Sequence, residues 1–229
     1  MSFALVLFHD NAPVAVPAAE LAALRGLLAR VPALEDALIF TPAAARDSHV
    51  DDGAPPPLGL QLHFARLEAL EAACARDGVL QGLPGLLPSL VGVGANAQAF
   101  WRRTWAVPDP VLHAAPGALP CSYVVHYPGP AEDPNAWHDH YMTGHPPLFQ
   151  RLPGIRGIEI LTPVEWVSHL PMAKAQNLQR NRVLFDSPEA LTAALQSPVR
   201  HELRADFHTF PPFRGGNFHY PMWTDRVRP

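Results

Sequence analysis

Apolar residues fall along the chain in short runs and helical stripes, and the same order occurs twice. Phe3–His9 is a near-continuous apolar run of strand length, the pattern of a strand buried on both faces. Over Pro17–Val31, residues Leu21, Leu24, Leu28 and Val31 share one face at helical spacing, with Pro17 in the first turn. Leu34–Thr41 and Leu58–Phe64 read as further strands. Residues 42–57 between them hold Asp47, Asp51, Asp52, Gly53 and three successive prolines, a loop by composition. Leu67–Arg76 reads as a helix stopped near Gly78. A short helix near 79–88, a turn at Gly92 and Gly94 and an aromatic strand over Gln98–Trp105 complete the first half.

The second half starts again with a strand over Ser122–Tyr127. Asp133 is an N-cap in front of Pro134 and the 137–151 helix, which the Pro146-Pro147 pair is expected to break or kink. A strand over 155–161, a loop over 163–178 and a strand over Arg182–Phe185 follow. Trp166 and His169 make that loop a candidate lid over a pocket. Ser187-Pro188-Glu189 and Ser197-Pro198 open two helices, the second with Val199, Leu203 and Phe207 on its apolar face. Gly215-Gly216 turns into a last strand, Asn217–Trp223.

Each half therefore reads β-α-β-β-α-β, the ferredoxin-like unit. An offset of 121 residues superposes Arg151 on Arg30, Pro153 on Pro32, Ile160 on Ile39, Thr162-Pro163 on Thr41-Pro42 and Glu189-Ala190-Leu191 on Glu68-Ala69-Leu70. One offset over so long a stretch implies a tandem duplication. The units are residues 1–106 and 120–229, joined by a linker over 107–119. A four-stranded sheet with helices on one side leaves its other face open, and two such faces bury each other. The expected fold is α+β: two fused ferredoxin-like units closing an α+β barrel within one chain.

Composition narrows the function. The chain has 229 residues, 48% hydrophobic and 17% charged, as in a folded globular protein. A net charge of −4 speaks against a nucleic-acid partner. The apolar run Phe3–Phe8 is too short to span a membrane and lacks the features of a leader, so a cytoplasmic location is expected. Cys74 and Cys121 fit a reduced compartment and receive no chemistry. His138, His140 and His145 do not share a helix face, so no metal site is expected. No phosphate loop, dinucleotide fingerprint or nucleophile elbow occurs.

Candidate chemistry concentrates in residues 137–163. Trp137, Tyr141 and His145 lie one helical turn apart on one side, and Pro147-Leu148 and Leu152-Pro153-Gly154 follow. This ordered set resembles the EthD family of the dimeric α+β barrel superfamily, over roughly residues 119–225. The superfamily usually builds its barrel from two chains. The resemblance implies a small cofactor-independent enzyme acting on a hydrophobic, aromatic or polyketide-like molecule, by monooxygenase, decarboxylase, dehydratase or isomerase chemistry. His145 is the candidate acid/base and Tyr141 the polar orienter. Trp137, His126, Tyr123, Phe149 and His219 are candidate substrate contacts. The first half lacks the polar set, since Trp137, Tyr141 and His145 fall on Val16, Glu20 and Leu24, so one site is expected. A non-catalytic protein holding an apolar ligand such as haem is the alternative reading, and a purely structural partner of an oxygenase the third. A cavity of about 300 Å³ or more beside His145 favours a small-molecule site. Association of the whole chain into a homodimer is left open.

Overall fold

The computed structural model describes residues 2–229. Its first half runs β1 (Ser2–His9), α1 (Ala18–Leu28), β2 (Leu34–Pro42), β3 (Gly59–Phe64), α2 (Leu67–Ala73), three 3-10 turns between Val79 and Leu90, and β4 (Ala95–Trp105). The second half runs β5 (Cys121–Tyr127), α3 (Pro134–Phe149), β6 (Gly157–Pro163), the two-residue β7 (Ala173–Lys174), β8 (Gln179–Phe185), α4 (Pro188–Leu195), α5 (Pro198–Phe207) and β9 (Phe218–Val227).

The strand order is β4-β1-β3-β2 in one half and β6-β8-β5-β9 in the other, and every neighbouring pair is antiparallel. Two antiparallel seams, β2 with β9 and β4 with β6, close the eight strands into a barrel. Each half thus covers the other's edges, which removes the unpaired strand rims that invite aggregation. The expected α+β barrel formed within one chain is what the structure shows.

Closure explains the near-continuous apolar strands. In β1, Leu5 and Leu7 face the helical layer of the first half, whereas Ala4, Val6 and Phe8 face the barrel interior. The interior continues through Leu38, Phe40, Phe100, Val124, Leu161, Tyr220 and Met222. Both faces of β1 are dry, so no polar alternation survives. One stretch of the interior is ionic: Glu159 takes Arg102 and Arg182 at 2.5 and 2.9 Å, and Gln61 donates to it at 2.7 Å. Burial pushes the Glu159 carboxyl up, but Arg182, His63 and Arg102 outweigh it and hold the group well below the usual range.

The 121-residue displacement carries the Asp36–His63 pairing of β2 and β3 onto the Gly157–Leu184 pairing of β6 and β8. Phe3 pairs with Phe64 and Cys121 with Phe185, so the first strands are displaced by 118 residues instead.

Several local expectations are corrected. Helix α3 runs through Pro146 and Pro147 and the ladder resumes with Gln150 N donating to Pro146 O at 3.2 Å. The prolines remove only two donors, and burial of Trp137, Tyr141, His145 and Phe149 on one face holds the helix together. Its start is as read: Asp133 accepts from the amides of Asn135 and Ala136. Helix α2 stops at Ala73, short of Gly78, and the 79–88 segment forms 3-10 turns. The 163–178 loop is not a lid over His145. It packs on the first half, where Trp166 and Leu170 join the apolar layer and His169 N donates to Cys74 O at 2.9 Å. The corresponding loop of the first half, 42–57, crosses the other way and places Ala43 and Ala45 against the helical layer of the second half. No helix among the described residues is long and apolar enough to cross a membrane.

Candidate functional site

In β5 the odd residues Tyr123, Val125 and Tyr127 face the helices of the second half, and α3, α4 and α5 cover them. Between the two layers lies a cavity walled by these residues, by His145 and Phe149 of α3, by Arg200, Leu203 and Phe207 of α5, and by Asn217 and His219. Its volume is about 40 Å³. It admits water or a small group and falls short of the expected size.

His145 stands on the cavity wall at 5% exposure. Its Nδ1 lies 2.6 Å from Asp206 Oδ2. A carboxylate only accepts, so Nδ1 carries the proton and Nε2 is left with its lone pair. Burial lowers the His145 pKa below its ordinary value, and the Asp206 contact only partly offsets this. The ring is thus neutral at pH 7. Gly144 makes the contact sterically possible: a Cβ there would sit 2.8 Å from Asp206 Oδ1.

A second ionic group lies beside the cavity. Tyr123 Oη donates to Asp47 Oδ2 at 2.9 Å, and Arg200 Nε donates to the same oxygen at 2.9 Å. His219 Nδ1 meets Asp52 Oδ2 at 2.9 Å and its ring stacks on Tyr123, with centroids 5.3 Å apart. Burial raises the Asp52 carboxyl, but hydrogen bonds from His219 bring it below its usual value. Asp47 and Asp52 belong to the loop of the first half. The cavity lining comes from the second half, and the first half braces three of its residues, Tyr123, Arg200 and His219, through these two carboxylates.

The other candidates divide. Phe149 lines the cavity, its ring edge-on to His145 with centroids 4.8 Å apart. Tyr141 is fully buried behind His145 and accepts from Asn181 Nδ2 at 2.7 Å. It is not on the cavity wall, and Tyr127 supplies the phenol there, with burial pushing its pKa up. Trp137 is equally buried, stacked on Tyr141 and packed against Phe210 and Phe213. His126 faces the barrel interior between Phe8 and Tyr220, away from the cavity. Strand parity forbids His126 and Tyr123 from sharing a side. Asp206, Tyr127, Asp47, Asp52, Arg200 and Asn217 were not singled out by sequence. Only Asp47 and Asp52, a polar cluster in a proline-rich loop, carried any signal.

Burial also pushes both free thiols, Cys74 and Cys121, up to about 12, which leaves them unreactive.

A closed eight-stranded antiparallel barrel with helices outside and a cavity under one helical layer defines an α+β barrel of the dimeric type, assembled here in a single chain. No family model matches the sequence, and no curated protein is similar to it. Solved structures are similar in fold. An anthrone oxidase-like protein superposes with a TM-score of 0.63 at 12% identity, over 99% of this chain and 92% of its own. A candidate monooxygenase from Fusobacterium nucleatum subsp. nucleatum ATCC 25586 gives 0.58 at 6% identity, over 99% and 94%. Another, from Lactobacillus acidophilus NCFM, gives 0.52 at 8%, over 100% and 97%. At these identities the likeness is one of fold, and the EthD resemblance rests on the motif residues.

Proposed function

We propose that this protein is a small enzyme that removes a proton from a hydrophobic, aromatic or polyketide-like substrate without a cofactor, with His145 as the base. The observation that carries this reading is the His145–Asp206 pair at 2.6 Å on the wall of an otherwise apolar cavity. A buried neutral imidazole oriented by a carboxylate is a general base, because the carboxylate fixes the tautomer and stabilises the imidazolium once the proton is taken. Tyr127, whose phenol stays protonated, is the hydrogen-bond donor suited to the oxyanion that proton removal creates. Tyr141 and Trp137 support the base from behind. The fold likeness to an anthrone oxidase-like protein and to candidate monooxygenases agrees with an oxidoreductase in which such a carbanion passes its electrons to dioxygen as co-substrate. The motif is consistent with an EthD-like unit, and the shared register of β2–β3 and β6–β8 supports its duplication.

The narrowness of the cavity favours a second reading, a non-catalytic accessory protein. A substrate ring needs more than about 40 Å³, so turnover requires the helical layer over the cavity to move outward. Haem is far larger still and does not fit. Because all eight strands are paired within the chain, a homodimer would have to use side-chain surface.

The test is a panel of phenolic and polyketide-like compounds with wild type, His145→Gln and Phe149→Trp. Turnover by wild type, lost at least 100-fold in His145→Gln with unchanged binding, supports the base. Binding without turnover in wild type, blocked by Phe149→Trp, makes it an accessory protein.

A further inference from the structure

The barrel interior holds a second group of buried polar side chains, on the far side of the sheet from His145. Arg180 is 2% exposed. Unlike Arg102 and Arg182, which share Glu159, it has no carboxylate. Its guanidinium lies against the rings of Phe8 and Phe100, with Cζ 5.4 and 5.7 Å from their centroids. Nη2 donates to Asn96 Oδ1 at 3.1 Å, and turning the Asn177 amide brings its oxygen within 2.9 Å of Nη2 and 3.2 Å of Nε. Nη1 has no partner among the described residues, and neither has Nε2 of His126, the residue facing Arg180 across the β5–β8 pair.

The aromatic faces lessen the cost of the buried charge but accept no N–H hydrogen bond. An unpaired buried cation is strongly unfavourable, and each unmet donor adds to that. Burial pulls the Arg180 pKa down to about 9, which leaves it charged at pH 7. Burial and the neighbouring Arg180 push the His126 pKa well below its usual value.

From this juxtaposition we propose that the barrel end enclosed by Arg180, His126, Phe8, Phe100 and Tyr220 binds a small monovalent inorganic anion of halide size. The anion accepts from Arg180 Nη1 and from His126 Nε2–H, a tautomer the neutral ring can adopt. A halide suits the place because it needs no directional acceptor geometry and little volume, and the surrounding interior is packed with aromatic and aliphatic side chains. Asn11 Nδ2 lies 3.4 Å from Tyr220 Oη, and Asn96 accepts from Arg180, so two amides stand beside the group.

Two measurements test this. Crystals of the full chain soaked in sodium bromide are expected to show an anomalous peak within about 3.5 Å of Arg180 Nη1, the reach of a hydrogen bond to a large anion. Unfolding is then followed in sodium chloride against sodium gluconate at equal ionic strength. Wild type gains Tm with chloride by mass action, and Arg180→Met loses that dependence. If Arg180→Met does not fold, Arg180→Lys serves, with a weakened chloride dependence expected. A bromide-free site holding only water, or equal Tm values in the two salts for wild type, overturns the proposal.

Discussion

Replacing Asp206 by Asn tests the tautomer on which the proposed chemistry rests. The change keeps the shape of the side chain but exchanges an acceptor-only group for one that can donate. An amide N–H turned toward His145 Nδ1 forces the ring proton onto Nε2, the nitrogen that faces the cavity, and a base with a proton already on it takes none. The contact at 2.6 Å is charge-assisted and half-buried. Hydrogen bonds to charged groups contribute about 1.5–3 kcal/mol. At this chain length one kcal/mol shifts Tm by about 2–4 °C, so Asp206→Asn should lower Tm by about 3–12 °C. General base catalysis is worth about 10²–10⁴ in rate, and the loss of turnover should fall in that range. The assay that needs no substrate is ¹⁵N NMR of the imidazoles across pH. Wild-type His145 should show the Nδ1–H form and titrate below the ordinary histidine value, because burial outweighs the opposing effect of Asp206. In Asp206→Asn the raising influence is gone, so the midpoint moves lower still and the Nε2–H form appears. A wild-type ring that titrates at or above its ordinary value, or already carries its proton on Nε2, refutes the reasoning.

Two further outcomes are expected. Acidification should destabilise the fold early, because burial lowers the pKa values of His9, His126, His138 and His145. The unfolded chain then binds protons from about pH 6.5 downward while the folded one does not, so stability is full above that pH and falls below it; a urea midpoint unchanged between pH 7.5 and 5.5 would contradict this. Glu159→Gln strands Arg102 and Arg182 in the interior without a counter-charge, a loss of about 3–5 kcal/mol; calorimetry should show Tm lower by about 6–20 °C, and a drop of under 3 °C would mean the triad is not what neutralises them.

Much of the architecture was legible because it follows from local spacing. Asp133 and Ser187 cap α3 and α4 where a short polar side chain precedes a proline. The apolar runs of β1 and β5 are strands because only a strand with two dry faces needs such a run. Proline punctuation misled at Pro146 and Pro147, where packing of the buried face outweighed two missing hydrogen bonds. The motif helix showed His145 one turn from Tyr141, but not which of them meets the cavity. Helical geometry places both on one face, and the depth of that face depends on the layer packed against it.

Most element types, and the concentration of histidines and aromatics in the second half, follow from the residues alone. These are properties of composition and of neighbours within a few residues. The tertiary structure decided what spacing does not encode. Asp206, 61 residues downstream, comes to His145 because α5 crosses α3 at Gly144. Asp47 and Asp52 arrive from the other half because each unit sends its long loop across the seam. His126 parts company with Tyr123 because a strand has two sides, and only closure of the barrel fixes which one faces inward.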